Sequence, residues 1–386
     1  VAERHGAAVR IGVVVPELMG HMNPAIELAR ELGHLGHQAI LVTRPPGHER
    51  ASKLWVGHAL YATEAPGRAE LGKESGLAAL RALATYLRAA NAQLLGGALD
   101  LLCGELELDA LVIDETLQGA CLVAARRGMP YATFCAALSM SYDPAIPPPI
   151  FAWQPASGWA GKLRDRLGWN YFAWVFRHVW SDLERYREAH GIPLHDADGN
   201  SVYVGRAQVA QQPFWLDFPR AWEAPFLATG AWVTRDQEEV PFPWFWLEPE
   251  RGLVYVCMGT IAHDQAAVST ICNAVQAAAK TGAQVVVSTG GNGLADGALV
   301  SVRELYAAVR LKLFGEDGYG AKDVLVVPWA PHYALIARAD VVVTNAGLNT
   351  TLACIQAAKH TVGYPLSFDQ PGIAARILFA SSGATR

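Results

Sequence analysis

Ile11-Gly12-Val13-Val14-Val15-Pro16-Glu17-Leu18-Met19-Gly20-His21-Met22-Asn23-Pro24-Ala25-Ile26 opens the first unit of the chain, and Gln38-Ala39-Ile40-Leu41-Val42-Thr43 closes it. Residues 11–15 form an unbroken apolar run, the mark of a strand buried on both faces. Residues 16–23 read as a loop. Asn23 is placed to cap a helix whose first position is Pro24, where the missing N–H costs nothing. Ile26, Leu28, Ala29 and Leu32 give that helix an apolar stripe, Gly33 and Gly36 end it, and residues 38–43 supply the next strand. Further on, residues 110–113 read as a strand, a helix runs through Ala125, and another strand lies at 131–135. Strands alternating with helices predict a parallel sheet covered on both faces.

The pattern then stops and starts again. Residues 253–258 read as a strand, 266–280 as a helix and 284–288 as a strand, and 324–327 and 341–344 continue the series. Between the two series lies a stretch rich in Pro and Trp, residues 212–251, with Asp217-Phe218-Pro219-Arg220 and Val240-Pro241-Phe242-Pro243-Trp244. It reads as a connection between a first domain, 1–211, and a second, 252–386. The expectation is an α/β protein of two Rossmann-like domains facing each other across a cleft.

Composition agrees with a packed two-domain chain. The 386 residues are 52% hydrophobic and 17% charged, which excludes intrinsic disorder. Net charge is −5 and the one adjacent basic pair is Arg126-Arg127, so no nucleic-acid partner is expected. Gly, Pro or a charge interrupts every apolar run before the roughly 18 residues that span a membrane. The six cysteines are scattered through apolar surroundings with no C-x-x-C pair, which suits reduced core thiols and a cytoplasmic location.

Several residues bear on chemistry. His21 follows a strand at the carboxyl end of a parallel sheet, where such folds bind ligands. It reads as a solvated loop histidine or as a general base. Asp114 ends a second strand of the same sheet and reads as a helix cap or as the carboxylate that orients His21; as a pair they suit general-base chemistry. His34-Leu35-Gly36-His37 looks like H-x-x-H, but Gly36 breaks the helix and no acidic ligand follows, so no metal is expected. Neither G-x-G-x-x-G nor G-x-x-x-x-G-K-[ST] is present in the first βα loop. In residues 159–180, Trp159, Trp169, Trp174 and Trp180 interleave with Lys162, Arg164, Arg166 and Arg177. That segment reads as core or pocket wall, or as an amphipathic element lying on the inner membrane surface.

The second series carries Pro328-Trp329-Ala330-Pro331-His332, then Thr344-Asn345-Ala346-Gly347-Leu348-Asn349-Thr350, then Pro365-Leu366-Ser367-Phe368-Asp369-Gln370. In this order and spacing the motifs resemble the donor-binding signature of the UDP-sugar-dependent glycosyltransferases of the GT-B fold. The G-H-x-N-P loop, Asp114 and Val256-Cys257-Met258-Gly259-Thr260 match too, so the resemblance runs from about Arg10 to the C-terminus. Ile146-Pro147-Pro148-Pro149 and Asp369-Gln370-Pro371-Gly372 are similar to the bacterial zeaxanthin glucosyltransferases within that family. The resemblance implies an inverting, metal-independent transfer of a hexose, expected to be glucose, from a UDP-sugar co-substrate to a hydroxyl of a lipophilic acceptor such as a hydroxylated carotenoid, with no other cofactor. His21 would be the base and Asp114 its partner. Thr260, Asn345, Gly347, Asn349 and Thr350 would meet the diphosphate, Trp329 with Ala330 and His332 the nucleoside, and Asp369 and Gln370 the sugar.

The chain also departs from the family. Asn345 stands where a phosphate-contacting His is usual, His332 where Gln is common, and Ala353 where a Glu holds the ribose hydroxyls. Ala353→Glu is therefore expected to restore a ribose contact. Family members also continue past Arg376 into helices that cross back to the first domain. These departures keep a second reading open, a weakened or inactive relative that binds an apolar ligand or a partner protein.

Overall fold

The computed structural model describes residues 8–45, 47–54, 56–156, 158–220, 222, 225–232, 240–260, 265–290, 307, 309–313 and 323–382. In the first half, β1 (Arg10–Val14), α1 (Met19–His34), β2 (Gln38–Thr43), α2 (Gly47–Lys53) and β3 (His58–Leu60) alternate as the apolar runs predict. They are followed by α3 (Gly76–Gln93), α4 (Leu99–Glu105), β4 (Ala110–Asp114), α5 (Gln118–Arg126), β5 (Tyr131–Cys135), α6 (Gly158–Ala189), β6 (Gln208–Ala210) and β7 (Phe226–Ala228). The seven strands form one parallel sheet in the order β3-β2-β1-β4-β5-β6-β7. Thus the stretch 212–251, read as a connection, also completes the first sheet: residues 226–228 pair in register with residues 208–210.

The second half holds β8 (Leu253–Cys257), α7 (Gln265–Ala279), β9 (Gln284–Ser288), β10 (Val324–Val327), α8 (His332–Arg338), β11 (Val341–Thr344), α9 (Leu348–Gln356), β12 (His360–Gly363) and α10 (Gln370–Ser381). Its five strands are parallel in the order β10-β9-β8-β11-β12. Every residue of β8 and β9 is buried, as strands covered on both faces must be. All six cysteines are buried and unpaired. Among the described residues no helix is long and apolar enough to cross a membrane.

The start of α1 differs from the sequence reading, and the difference matters. The helix begins at Met19, with the Leu18 carbonyl accepting the N–H groups of His21 (2.9 Å) and Met22 (2.8 Å). Pro24 therefore lies inside it. A proline there cannot donate to the carbonyl four residues back, which is that of Gly20. That carbonyl instead accepts the side-chain amide of Asn349, from the second domain, at 2.9 Å. The cap signals of Asn23 and Pro24 are general preferences, and here the freed carbonyl serves a contact they cannot reveal.

Three further contacts tie the halves together. Gly76 N–H donates to the Leu366 carbonyl at 2.7 Å. Arg376 on α10 meets Asp217 at 2.6 Å with both side chains buried. A Cβ at Gly372 would collide with the Pro149 carbonyl, so α10 can lie flat on the Ile146-Pro147-Pro148-Pro149 loop. Ile373 and Ala375 continue the seam into clusters that include Leu138, Leu216, Ile146 and Phe218. The helix following Asp369-Gln370 is thus itself docked on the first domain.

Candidate active site

A cavity of about 260 Å³ opens between the carboxyl ends of the two sheets. His21, Thr260, Trp329, Ala330, His332, Asn345, Gly347, Asn349, Thr350, Asp369 and Gln370 all line it. Asp114 does not; it lies fully buried behind His21.

The pair itself is well made. His21, in the first turn of α1, meets Asp114 Oδ2 through Nδ1 at 2.7 Å. The other carboxylate oxygen, Oδ1, accepts the Thr116 hydroxyl at 2.6 Å and the Thr116 N–H at 3.0 Å. With Nδ1–H committed to Asp114, Nε2 keeps the lone pair that can take a proton. Burial disfavours the charged imidazole, but the charge and hydrogen bond of Asp114, with the nearby Asp369 and Glu115, outweigh it and raise the His21 pKa above 6.5. The loop before α1 is fixed by Glu17, whose carboxylate receives two 3.0 Å hydrogen bonds from the buried Arg44 at the end of β2.

On the opposite wall, Gly347 begins α9, and a helix start presents N–H groups and a partial positive charge to an anion. Asn345 Oδ1 accepts the Gly347 N–H at 3.3 Å, which holds that turn. Gly259 is required beside it: its φ is +77° and a Cβ would lie 2.7 Å from Asn345 Nδ2. The Asn349 side chain faces the first domain. Its nitrogen donates to Gly20 and its oxygen accepts the Gln211 amide at 2.5 Å. Gln370 Oε1 accepts the N–H groups of Leu366 (2.9 Å) and Ser367 (3.0 Å), so its acceptor shapes the loop and its amide nitrogen is the group left for a ligand. Asp369 Oδ2 accepts the Leu138 N–H at 3.1 Å from across the cleft. Burial raises the Asp369 pKa, offset in part by that hydrogen bond and by His21.

Two expectations change. Ala353 is 4% exposed and shares an apolar cluster with Leu253, Tyr255, Cys257 and Ile336; it does not line the cavity. A carboxylate there would be buried without water, a cost and not a gain. The aromatic segment 159–180 forms one helix, α6, none of which lines the cavity. Trp169, Phe172 and Phe176 pack inward against α3, while Trp159, Trp174 and Trp180 face outward.

Part of the apolar lining comes from residues that the sequence did not single out, among them Leu18, Leu71, Leu83, Leu87 and Met140. Glu115, Tyr255 and Ser288 also line it. Glu115 was visible only as the neighbour of Asp114, and Tyr255 only as one apolar strand position. Among the described residues no three His, Cys, Asp or Glu side chains gather as a metal site would.

No protein-family model matches the chain. In sequence it is 27% identical to a zeaxanthin glucosyltransferase of Pseudescherichia vulneris over 383 residues, covering 96% of this chain and 84% of that protein. A zeaxanthin glucosyltransferase of Pantoea ananas is 23% identical over the same length, with 96% and 83% covered. Among solved structures, the glycotransferase of kitacinnamycin superposes with a TM-score of 0.66 at 19% identity, covering 96% of this chain and 84% of that one. The glycosyltransferase VinC, in complex with dTDP, gives 0.63 at 17% identity, with 97% and 86% covered. The chain thus has the GT-B fold and is similar, along nearly its whole length, to glycosyltransferases that include the zeaxanthin glucosyltransferases.

Proposed function

We propose that this protein is an inverting glycosyltransferase that moves a hexose, glucose in the first instance, from UDP to a hydroxyl of a lipophilic acceptor such as a hydroxylated carotenoid. The observation that carries the reading is the His21–Asp114 contact of 2.7 Å, with His21 facing a cavity whose other wall is the start of α9.

A hydroxyl is a poor nucleophile near neutral pH. His21 Nε2 accepts its proton as the oxygen attacks the anomeric carbon, and Asp114 stabilises the imidazolium that forms. The bond from that carbon to the diphosphate breaks on the opposite face, which inverts the centre. The leaving diphosphate takes its negative charge toward the N-terminus of α9. No step calls on a metal ion. Leu18, Leu71, Leu83 and Leu87 give the acceptor side an apolar lining, which favours a hydrocarbon-rich substrate over a free sugar.

The surface of α6 suits delivery of such an acceptor. Trp159, Leu163, Leu167 and Trp174 recur on one outward stripe, Trp159 at 80% exposure, beside the exposed Lys162, Arg166 and Arg177. An apolar stripe with a basic flank fits the interface of an anionic membrane. This is where the peripheral contact of a cytoplasmic enzyme would be made.

Incubation with UDP-glucose and a hydroxylated carotenoid in vesicles, read by mass spectrometry and NMR, is expected to give a β-linked glucoside from the α-linked donor. A retained α linkage, or no product from any nucleotide-sugar and hydroxylated acceptor pair, contradicts the proposal.

A further inference from the structure

The wall of the cavity under α9 holds a chain of polar side chains that the transfer chemistry above does not use. Tyr255, in the middle of β8, brings its hydroxyl to 3.1 Å from His332 Nδ1. His332 Nε2 lies 3.2 Å from the Thr350 hydroxyl, in the first turn of α9. The three residues face the cavity together with Ser288, whose hydroxyl interacts with that of Tyr255.

Resting on the nucleotide-sugar reading, we propose that Tyr255 and His332 form a relay that fixes which way the Thr350 hydroxyl points, presenting its hydrogen to a diphosphate bound at the start of α9. Both are positioning residues, since they act on the ligand through Thr350.

The argument is one of donors and acceptors. Burial pushes the His332 pKa down to about 4, so the ring is neutral around neutral pH and carries a single N–H. Burial also keeps the Tyr255 hydroxyl protonated. Two arrangements satisfy the distances. In one, Tyr255 donates to Nδ1, the Nε2–H donates to Thr350, and the Thr350 hydrogen is left for the cavity. In the other, Nδ1–H donates to Tyr255 and Thr350 spends its hydrogen on Nε2, so only its lone pairs remain outward. Phosphate oxygens only accept hydrogen bonds, so a diphosphate selects the first and is repelled by the second. A hydroxyl at Tyr255 makes the first arrangement available at the cost of no charge.

Calorimetric titration of UDP, with dTDP as a second probe, tests this in wild type, Tyr255→Phe, Thr350→Val and the double variant. Tyr255→Phe removes one oxygen and is expected to weaken UDP about tenfold, and Thr350→Val by a similar factor. The double variant should bind no more weakly than Thr350→Val alone, because the relay acts through that hydroxyl. In wild type with UDP bound, 15N NMR of histidine should show His332 with its hydrogen on Nε2. Unchanged affinity in Tyr255→Phe, the same loss in the Thr350→Val background, or an Nδ1–H tautomer in the wild-type complex overturns the relay and leaves the nucleotide reading intact. Failure of the wild type to bind either nucleotide overturns that reading and the relay with it.

Discussion

Glu115 stands one residue beyond Asp114, and its carboxyl is poorly supplied with partners. Oε1 is buried with no partner in ordinary hydrogen-bond geometry, Oε2 accepts the Gln208 amide at 3.4 Å, and the Cys135 thiol and the Met140 backbone also interact with the carboxyl. Burial, reinforced by the charge of Asp114, pushes its pKa up to about 8, with Cys135, the Met140 backbone and His21 pulling the other way. The folded state therefore holds a proton that the unfolded chain releases near 4.5. Stability from this group is complete below 4.5 and is lost as pH climbs toward about 8, at no more than about 1.4 kcal/mol per pH unit. Urea melts of Glu115→Gln at pH 5 and pH 8 should show a smaller fall between the two than wild type, by about 1–3 kcal/mol. Equal slopes would mean that Glu115 ionises normally in the folded protein. At the same scale, the sequence showed His21 and Asp114 because their positions after strand ends are legible. Asn349, Tyr255 and Ser288 took their roles from partners far away in the chain, which no local pattern encodes.

Single elements show where periodicity helps and where it misleads. The strands at residues 38–43, 131–135, 284–288, 324–327 and 341–344 lie where the apolar runs put them, and 284–288 is buried along its whole length. The strands β3, β6 and β7 have three residues each, too short for a pattern, and β12, His-Thr-Val-Gly, is mixed in composition. For α6 the aromatic content is legible in the sequence but its division into faces is not. Gly168 permits the inward face to close on Trp153 and Pro148, where a Cβ would lie 2.8 and 3.0 Å from their side chains. Arg164 is tied to Asp165 and the Gln154 carbonyl and sits 5.0 Å over Trp153, so it is a poor choice for probing the outer surface. Lys162→Glu with Arg166→Glu leaves that network alone. Wild type should float with anionic vesicles, and the double variant should do so several-fold less, given about 1 kcal/mol per basic residue near such a surface. A wild type that never floats would restrict α6 to packing.

At the scale of the whole molecule, two parallel sheets turn their carboxyl ends toward one cavity, and the seam beside it is polar where it must be precise. Asn349 joins α9 to the carbonyl that Pro24 frees on α1, so the cavity wall at the start of α9 is tied directly to the residue before His21. Asp369 reaches Leu138, and Arg376 reaches Asp217, from the same side. Two series of strand and helix signals implied this architecture, while the seam itself depends on pairings between residues more than a hundred apart and was not legible. His21 is proposed as the base for transfer. The most direct measurement is the transfer rate of His21→Ala beside its calorimetric affinity for UDP. A rate lower by about 100-fold or more with nearly unchanged UDP affinity is predicted, and in wild type the rate should rise with pH through a His21 pKa above 6.5. Full transfer by His21→Ala would remove His21 as the base.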